Sequence, residues 1–192
     1  MSRTIDVVMA GFGGQGMLLA GKILAQAAMD EGLQVSWLPS YGPEMRGGTA
    51  NVVVRISHEP IAAPLVDRPG GLVVMNRPSL EKFGPRVAHG GVIVVNRTLI
   101  DVDAGRDDCL VVDVASRDLA LAAGTERAAN LVMLGAWLGV VEAVPSAAIE
   151  RAITAELPGD KARFVPANVA AFRAGLSLGQ EASVGAGRGV AR

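Results

Sequence analysis

The chain has 192 residues, half of them hydrophobic and 19% charged, with a formal net charge of −1. That composition suits one compact domain with a substantial core and argues against a nucleic-acid binder, which carries a basic patch or stripe. The one cysteine, Cys109, excludes an internal disulfide and any iron–sulfur cluster held by this chain alone, since such a cluster needs about four thiolates.

The N-terminus runs from Met1-Ser-Arg-Thr-Ile-Asp directly into a strand-like segment, without the regions of a signal peptide. Residues Ile5 to Ala10 form an apolar run of the kind found in sheets covered on both faces. A glycine-rich turn follows, then a predicted helix from about Gln15 to Glu31 with an apolar stripe of Leu18, Leu19, Ile23, Leu24 and Ala27, stopped by Gly32. Val35 to Leu38 reads as a short strand ended by Pro39, and Ala50 to Ile56 as a valine-rich strand. Gly71 to Met75, Val92 to Asn96 and Leu110 to Val114 read as further strands. Between the first two of these, Ser79 is placed to cap a short helix carrying Leu80 and Phe83.

Ser116 to Gly124 bounds another helix. Ala128 to Val141 is the most apolar helix, too short for the ~20 residues of a membrane span and better suited to a core. Ser146 to Leu157 is amphipathic, and Ala167 to Leu178 is the last predicted helix. Strands alternating with helices predict an α/β, Rossmann-like three-layer fold, with a mostly parallel sheet, right-handed crossovers and helices on both faces. Residues 1–178 read as one domain and 179–192 as a flexible tail without periodicity. The expected location is the cytoplasm, with no membrane contact.

Gly11, Gly13 and Gly16 satisfy the G-x-G-x-x-G fingerprint between a strand and a helix. Glycines permit the tight turn, and the helix start offers N–H groups and partial positive charge to an anion, so Gly13, Gly14, Gln15 and Gly16 are candidate anion contacts. The acidic residue that would hold a ribose hydroxyl is missing, because the second strand ends Val35-Ser36-Trp37-Leu38-Pro39. No arginine replaces it for a 2′-phosphate. The alternative is that these glycines only let the first helix pack close to the sheet.

Tyr41 to Asn51 reads Tyr-Gly-Pro-Glu-Met-Arg-Gly-Gly-Thr-Ala-Asn, an unusual cluster for a connecting loop. Pro43 fixes its own φ and biases Gly42 away from helix. Gly47-Gly48 opens backbone geometries closed to other residues. Arg46 offers a planar five-donor fork suited to a carboxylate or phosphate, and Glu44 is placed to orient it or to meet a partner's cation. The loop should leave the same sheet edge as the glycine turn, where ligands bind in parallel α/β sheets. Tyr41, Gly42, Pro43, Glu44, Arg46, Gly47, Gly48 and Asn51 are the candidate interface residues, against the alternative of a folded surface loop with an internal Glu44–Arg46 pair.

The Gly-x-Gly-Gly-Gln-Gly turn followed by Ser40-Tyr-Gly-Pro-Glu-Met-Arg-Gly-Gly-Thr-Ala-Asn51 resembles the gamma subunit of 2-oxoacid:ferredoxin oxidoreductases. The resemblance continues through Ile61–Pro64, Ala129–Gly135 and Asn168–Gly175. The Met45–Thr49 form is more similar to the 2-oxoglutarate and branched-chain 2-oxoacid members than to the pyruvate members. The resemblance implies a subunit of an assembly that oxidatively decarboxylates a 2-oxoacid with coenzyme A and reduces ferredoxin. Thiamine diphosphate, Mg2+ and iron–sulfur clusters would sit mainly on partner subunits, and this chain would scaffold and close the active site. Arg46 and the Gly13–Gly16 N–H groups would then be the coenzyme A contacts. Homodimerisation through the partner surface stays open.

Smaller candidates have plainer readings. Asn130 in the apolar helix is either bonded to backbone or an interface contact. Asn168 reads as a cap, Cys109 as an inert thiol, and His89 as a turn residue beside Gly90-Gly91. The two histidines, His58 and His89, lack ligand spacing, and Asp101, Asp103, Asp107 and Asp108 read as a solvated loop, so no metal site is expected. Two other functions remain in view: a stand-alone NAD(P)-binding dehydrogenase, favoured only by the glycine fingerprint, and a non-enzymatic α/β interaction module.

Overall fold

A computed structural model of the chain describes residues 4–41 and 49–189. Strands β1 (Ile5–Phe12), β2 (Gln34–Tyr41), β3 (Thr49–Ser57), β4 (Gly71–Val74), β5 (Val92–Asn96) and β6 (Leu110–Val114) form one sheet in the order β2-β3-β1-β4-β5-β6. The helices are α1 (Met17–Asp30), α2 (Arg77–Phe83), α3 (Ser116–Ala122), α4 (Ala129–Val141), α5 (Ser146–Glu156) and α6 (Val165–Gly189).

β1, β4, β5 and β6 pair in parallel, while β3 runs antiparallel to both of its neighbours, β1 and β2. All strands except β3 therefore point the same way, and the α/β, mostly parallel reading holds with one correction. β3 does not continue the strand–helix–strand alternation. Residues 42–48 are too few for the crossover of a dozen or more residues that a parallel pair needs, so β2 and β3 can pair only as a hairpin. β3 then inserts between β2 and β1.

The two sheet faces are covered unequally. Val7, Met9, Val52, Val54, Val73, Val94 and Val112 face the larger core, with side chains from α1, α3, α4, α5 and α6. The alternate residues Val8, Ala10, Leu72, Val74, Ile93 and Val95 face a smaller cluster closed by Leu80, Phe83, Val87 and Ile100. Period-two alternation of strand side chains places them so. On α1, Ile23, Leu24 and Ala27 are buried as expected, but Leu19 is exposed. Gly21 lets this helix lie close to β3, because a Cβ there would stand 2.6 Å from Val52 Cγ1.

Helix α4 is apolar all round, and every residue from Asn130 to Gly139 is buried. It lies in the larger core between the sheet and α6. The two helices meet backbone to backbone: a Cβ on Gly135 would land on the Phe172 carbonyl oxygen, and one on Gly175 on the Val132 carbonyl oxygen. Gly139 and Gly179 extend the contact one turn further, against Leu176 O and Ala136 O. This crossing corrects the reading of the C-terminus. α6 does not stop near Leu178 but runs to Gly189, and Gly179, the first residue of the expected tail, packs on α4.

Three smaller expectations also change. Pro39 does not end β2 but pairs with Val52 within it. β2 is an edge strand, where a residue without an N–H is tolerated. The cap of α2 is Asn76, whose Oδ1 accepts the Ser79 N–H at 2.9 Å; Ser79 lies inside the helix. Asn168 is within α6 and donates to Phe164 O at 2.8 Å instead of capping it.

Candidate functional site

β1, β4, β5 and β6 end at one edge of the sheet, and the glycine turn lies there, between Phe12 and the start of α1. Gln15 closes the turn twice over. Its N–H donates to Phe12 O at 3.1 Å, and its side-chain Oε1 accepts the Phe12 N–H at 2.6 Å. Gly16 adopts φ 75°, where glycine is favoured, and its carbonyl accepts a bond from Asn130 Nδ2 at 3.0 Å. The buried Asn130 thus bonds backbone and ties the first turn of α4 to that of α1.

These side chains fill the space the fingerprint glycines leave. A Cβ on Gly11 would stand 2.6 Å from Gln15 Oε1, and one on Gly16 would stand 2.6 Å from Asn130 Nδ2. Gly14, at φ 94°, faces open space. Two of the glycines are therefore required by the chain's own packing, without a ligand. The strand pairing removes a further requirement of the dinucleotide reading. In that fold the strand beside β1 is parallel and brings an acidic residue to the carboxyl edge. Here the neighbour on the side opposite parallel β4 is antiparallel β3, and the residue opposite Phe12 is Thr49.

Beside the turn lies a crevice of about 340 Å³. Its walls include Gly14, Gln15, Thr98, Leu99, Ser116, Arg117, Arg127 and Asn130. Asn96, at the end of β5, accepts from Thr98 N at 3.1 Å and Ser116 Oγ at 2.7 Å, joining the ends of β5 and β6. Arg117 pairs with Glu126 at 2.9 Å. Arg127 is exposed and has no ion pair among the described residues. Among the described residues the wall therefore presents an uncommitted cation, Arg127, and the Thr98 hydroxyl, whose oxygen accepts from Arg117 N and whose proton is left to donate, a set suited to a phosphate or carboxylate. Sequence reading singled out neither Arg117 nor Arg127. The available signal was their position just beyond a strand end and just before an apolar helix.

Of the expected interface residues, Tyr41 ends β2 and is 70% exposed at this same edge. Asn51 pairs with Ala10 and Ser40, and is buried. It lines a groove with Leu38, Val53 and Leu65 on the α2 side of the sheet, away from the crevice. Gly42, Pro43, Glu44, Arg46, Gly47 and Gly48 lie outside the described residues.

Two arginines hold the acidic segment near Asp101, and the first, Arg97, donates to Ile100 O and Val102 O at 3.5 and 2.6 Å. Arg106 bonds both carboxylate oxygens of Asp108, at 2.6 and 2.7 Å, and donates to Gly84 O and Val87 O. That guanidinium lowers the Asp108 pKa from 3.8 to about 2. The half-buried Cys109 thiol contacts Ala88 O at 3.5 Å, and burial raises its pKa, as for an inert thiol. His89 lies in the turn before Gly90. Among the described residues, no three His, Cys, Asp or Glu side chains group to hold a metal, and no helix is long and apolar enough to cross a membrane.

The family model of pyruvate ferredoxin/flavodoxin oxidoreductase matches residues 6–178. The chain belongs to this family. It is similar to ketoisovalerate oxidoreductase subunit VorA of Methanothermobacter thermautotrophicus, at 39% identity over 92% of this chain and 37% of the relative. It therefore spans little more than a third of that relative's length. It is also similar to 2-oxoglutarate synthase subunit KorC of Methanocaldococcus jannaschii, at 33% identity over 92% of this chain and 94% of the relative. A keto/oxoacid ferredoxin oxidoreductase gamma subunit from Geobacter sulfurreducens PCA has the same fold, with a TM-score of 0.82. The identity there is 29%, covering 94% of this chain and 98% of that one. The resemblance to the gamma subunit is borne out.

Fitting the chemistry of this oxidoreductase family to the chain gives a divided result. A cluster needs about four thiolates, and the chain has one cysteine. A thiamine diphosphate site needs carboxylate and carbonyl ligands for its magnesium, and the crevice wall's one carboxylate, Glu126, is paired to Arg117, while its Gln15 and Asn96 side-chain carbonyls already accept bonds within the chain. Neither group fits here, whereas an anionic substrate group does.

Proposed function

We propose that this chain is the gamma component of a 2-oxoacid:ferredoxin oxidoreductase that forms acyl-coenzyme A from a 2-oxoacid and reduces ferredoxin. In this reading thiamine diphosphate, Mg2+ and the clusters reside on partner subunits. The chain supplies a preformed wall beside the active site, with the glycine turn and Arg127 directed at the anionic groups of coenzyme A, and Arg46 is assigned a contact with the same groups from its residue type. The observation that carries the proposal is the self-filled turn beside an uncommitted arginine. The chain has built an anion-facing edge, and its one cysteine is too few for an iron–sulfur cluster.

The proposed substrate is 2-oxoglutarate, supported by the Met45–Thr49 form of the loop and by the near end-to-end match to the KorC relative. A branched-chain 2-oxoacid is the second reading, favoured by the higher identity to VorA.

Purification of the untagged complex tests the assembly. A thiamine-dependent chain and a cluster-bearing chain should accompany this one, and the complex should turn over 2-oxoglutarate faster than a branched-chain 2-oxoacid. A lone chain that binds NADH would sink the proposal. In the reconstituted complex, Arg127→Ala or Arg46→Ala should raise the apparent KM for coenzyme A about tenfold, the loss expected for one charge-assisted bond. Unchanged KM and unchanged assembly would remove these residues from the site.

A further inference from the structure

The opposite, amino edge of the sheet holds a cavity of about 360 Å³ that the proposed function does not use. Thr4, Asp6, Arg68, Gly70, Trp137 and Val141 are among its walls. Trp137 is fully buried, and its indole N–H has no acceptor among the described residues. An indole N–H can only donate, and a buried donor left unpaired is unusual in a native protein. Trp137 is itself a wall residue, and a Cβ on Gly71 would collide with its Nε1, so this edge of the ring lies directly against the start of β4, next to the wall residue Gly70.

The charges around the cavity are unevenly committed. Asp6 Oδ1 accepts the Gly70 N–H at 2.6 Å, and Oδ2 lies 3.8 Å from Arg55 Nε, so its charge is answered within the protein. Arg68 is exposed, without an ion pair or hydrogen bond among the described residues. The cavity thus combines a donor-only group at its floor with a free guanidinium at its mouth. What it lacks is an acceptor with two oxygens.

We propose that this cavity is a second binding site, for a small molecule bearing a carboxylate, with one oxygen on the Trp137 N–H and the other on Arg68. Both bonds are charge-assisted, and the arginine fork matches the planar carboxylate. The last turn of α4, ending at Val141, presents its negative end to the cavity. An ammonium beside the carboxylate suits that end, which makes a free amino acid the favoured source; a dicarboxylic acid, which shares the carboxylate and lacks the ammonium, is the other.

The experiment is a nitrogen–proton NMR titration of the full chain, whose two tryptophans give two indole signals. Trp37→Phe assigns them. Alanine, succinate and ethylamine are added at matched ionic strength. Saturable movement of the Trp137 signal with alanine or succinate is expected, and the one that saturates identifies the source. Arg68→Gln should weaken that binding about tenfold without moving the Trp37 signal. Arg68 is exposed, so this variant folds even if Trp137→Phe does not. Movement with ethylamine alone, no saturable movement at all, or equal affinity in Arg68→Gln overturns the proposal. Because the lone chain is titrated, failure here leaves the coenzyme A reading intact, and the reverse is also true.

Discussion

Glycine serves two different purposes in this molecule. At the carboxyl edge, Gly14 and Gly16 supply positive φ, and Gly16 with Gly11 also leaves room for Asn130 and Gln15. Where α4 crosses α6, Gly135, Gly139, Gly175 and Gly179 have helical backbones that any residue could adopt, and they matter only because another backbone occupies the space of a Cβ. The first group resembles a ligand fingerprint, and the second repeats on both helices the G-x-x-x-G spacing that lets helix backbones approach. Yet both are set by contact with another part of the same protein. A glycine pattern therefore reports close approach, and only the fold says what approaches.

Substitution can break this comparison. The largest effect should come from the crossing, where nothing flexible can yield. Gly175→Ala drives a methyl onto the Val132 carbonyl and should cost about 3 kcal/mol, at the upper end for overpacking. Its urea midpoint should fall well below that of any single turn variant. If it does not, the two helices slide easily and the backbone contact is not a constraint.

Within the turn, Gly16→Ala carries both the strain of positive φ and the clash with Asn130, and should cost about 2 kcal/mol. Gly14→Ala has the positive φ but open space, and should cost about 1 kcal/mol. Adding Asn130→Ala to Gly16→Ala removes the clash, so the pair should be less destabilised than the sum of the two single variants. Simple additivity would mean that Asn130 does not fill the glycine's space.

Gln15→Ala should cost less, about 0.5–1 kcal/mol, because the Phe12 N–H that it leaves lies where water can replace the lost bond. A crystal structure of that variant with water in place of Oε1 would sharpen the point.

The smallest effect is a control held together by charge instead of by close approach. The Asp108 carboxyl is depressed from 3.8 to about 2 by Arg106, so its contribution is present above the unfolded value and is lost as pH falls from about 4 towards about 2. Asp108→Asn should flatten acid sensitivity in that window and leave the glycine variants' relative order unchanged. A pH profile identical to that of the parent would show that this pair contributes nothing to stability.

Much of this was legible in the residues. Valine-rich runs and glycine stops located most strands and helices, because periodicity and turn chemistry are local properties. Pro39 misled, since a proline ends a strand in a sheet interior but is tolerated at an edge, and edge position is not local. The tail misled too. Gly, Ala, Ser and Gln carry no helical stripe, but from Gly179 they continue a helix already anchored on α4. At the candidate site, Gln15 and Asn130 were noticed without their partners, and Arg117 and Arg127 were not noticed at all. Nothing in their local sequence shows that β5, β6 and the start of α4 end around one crevice.

The sequence by itself determined the α/β alternation, the carboxyl-edge turn and the family, because each is written in short-range spacing and in motifs of fixed order. Tertiary structure decided that β3 separates β2 from β1, that glycines of α4 and α6 meet, and that Asn130 reaches Gly16 across 114 residues of chain. Those outcomes depend on which distant segments share a surface, and the steric fit that chooses among them exists only once the core has closed.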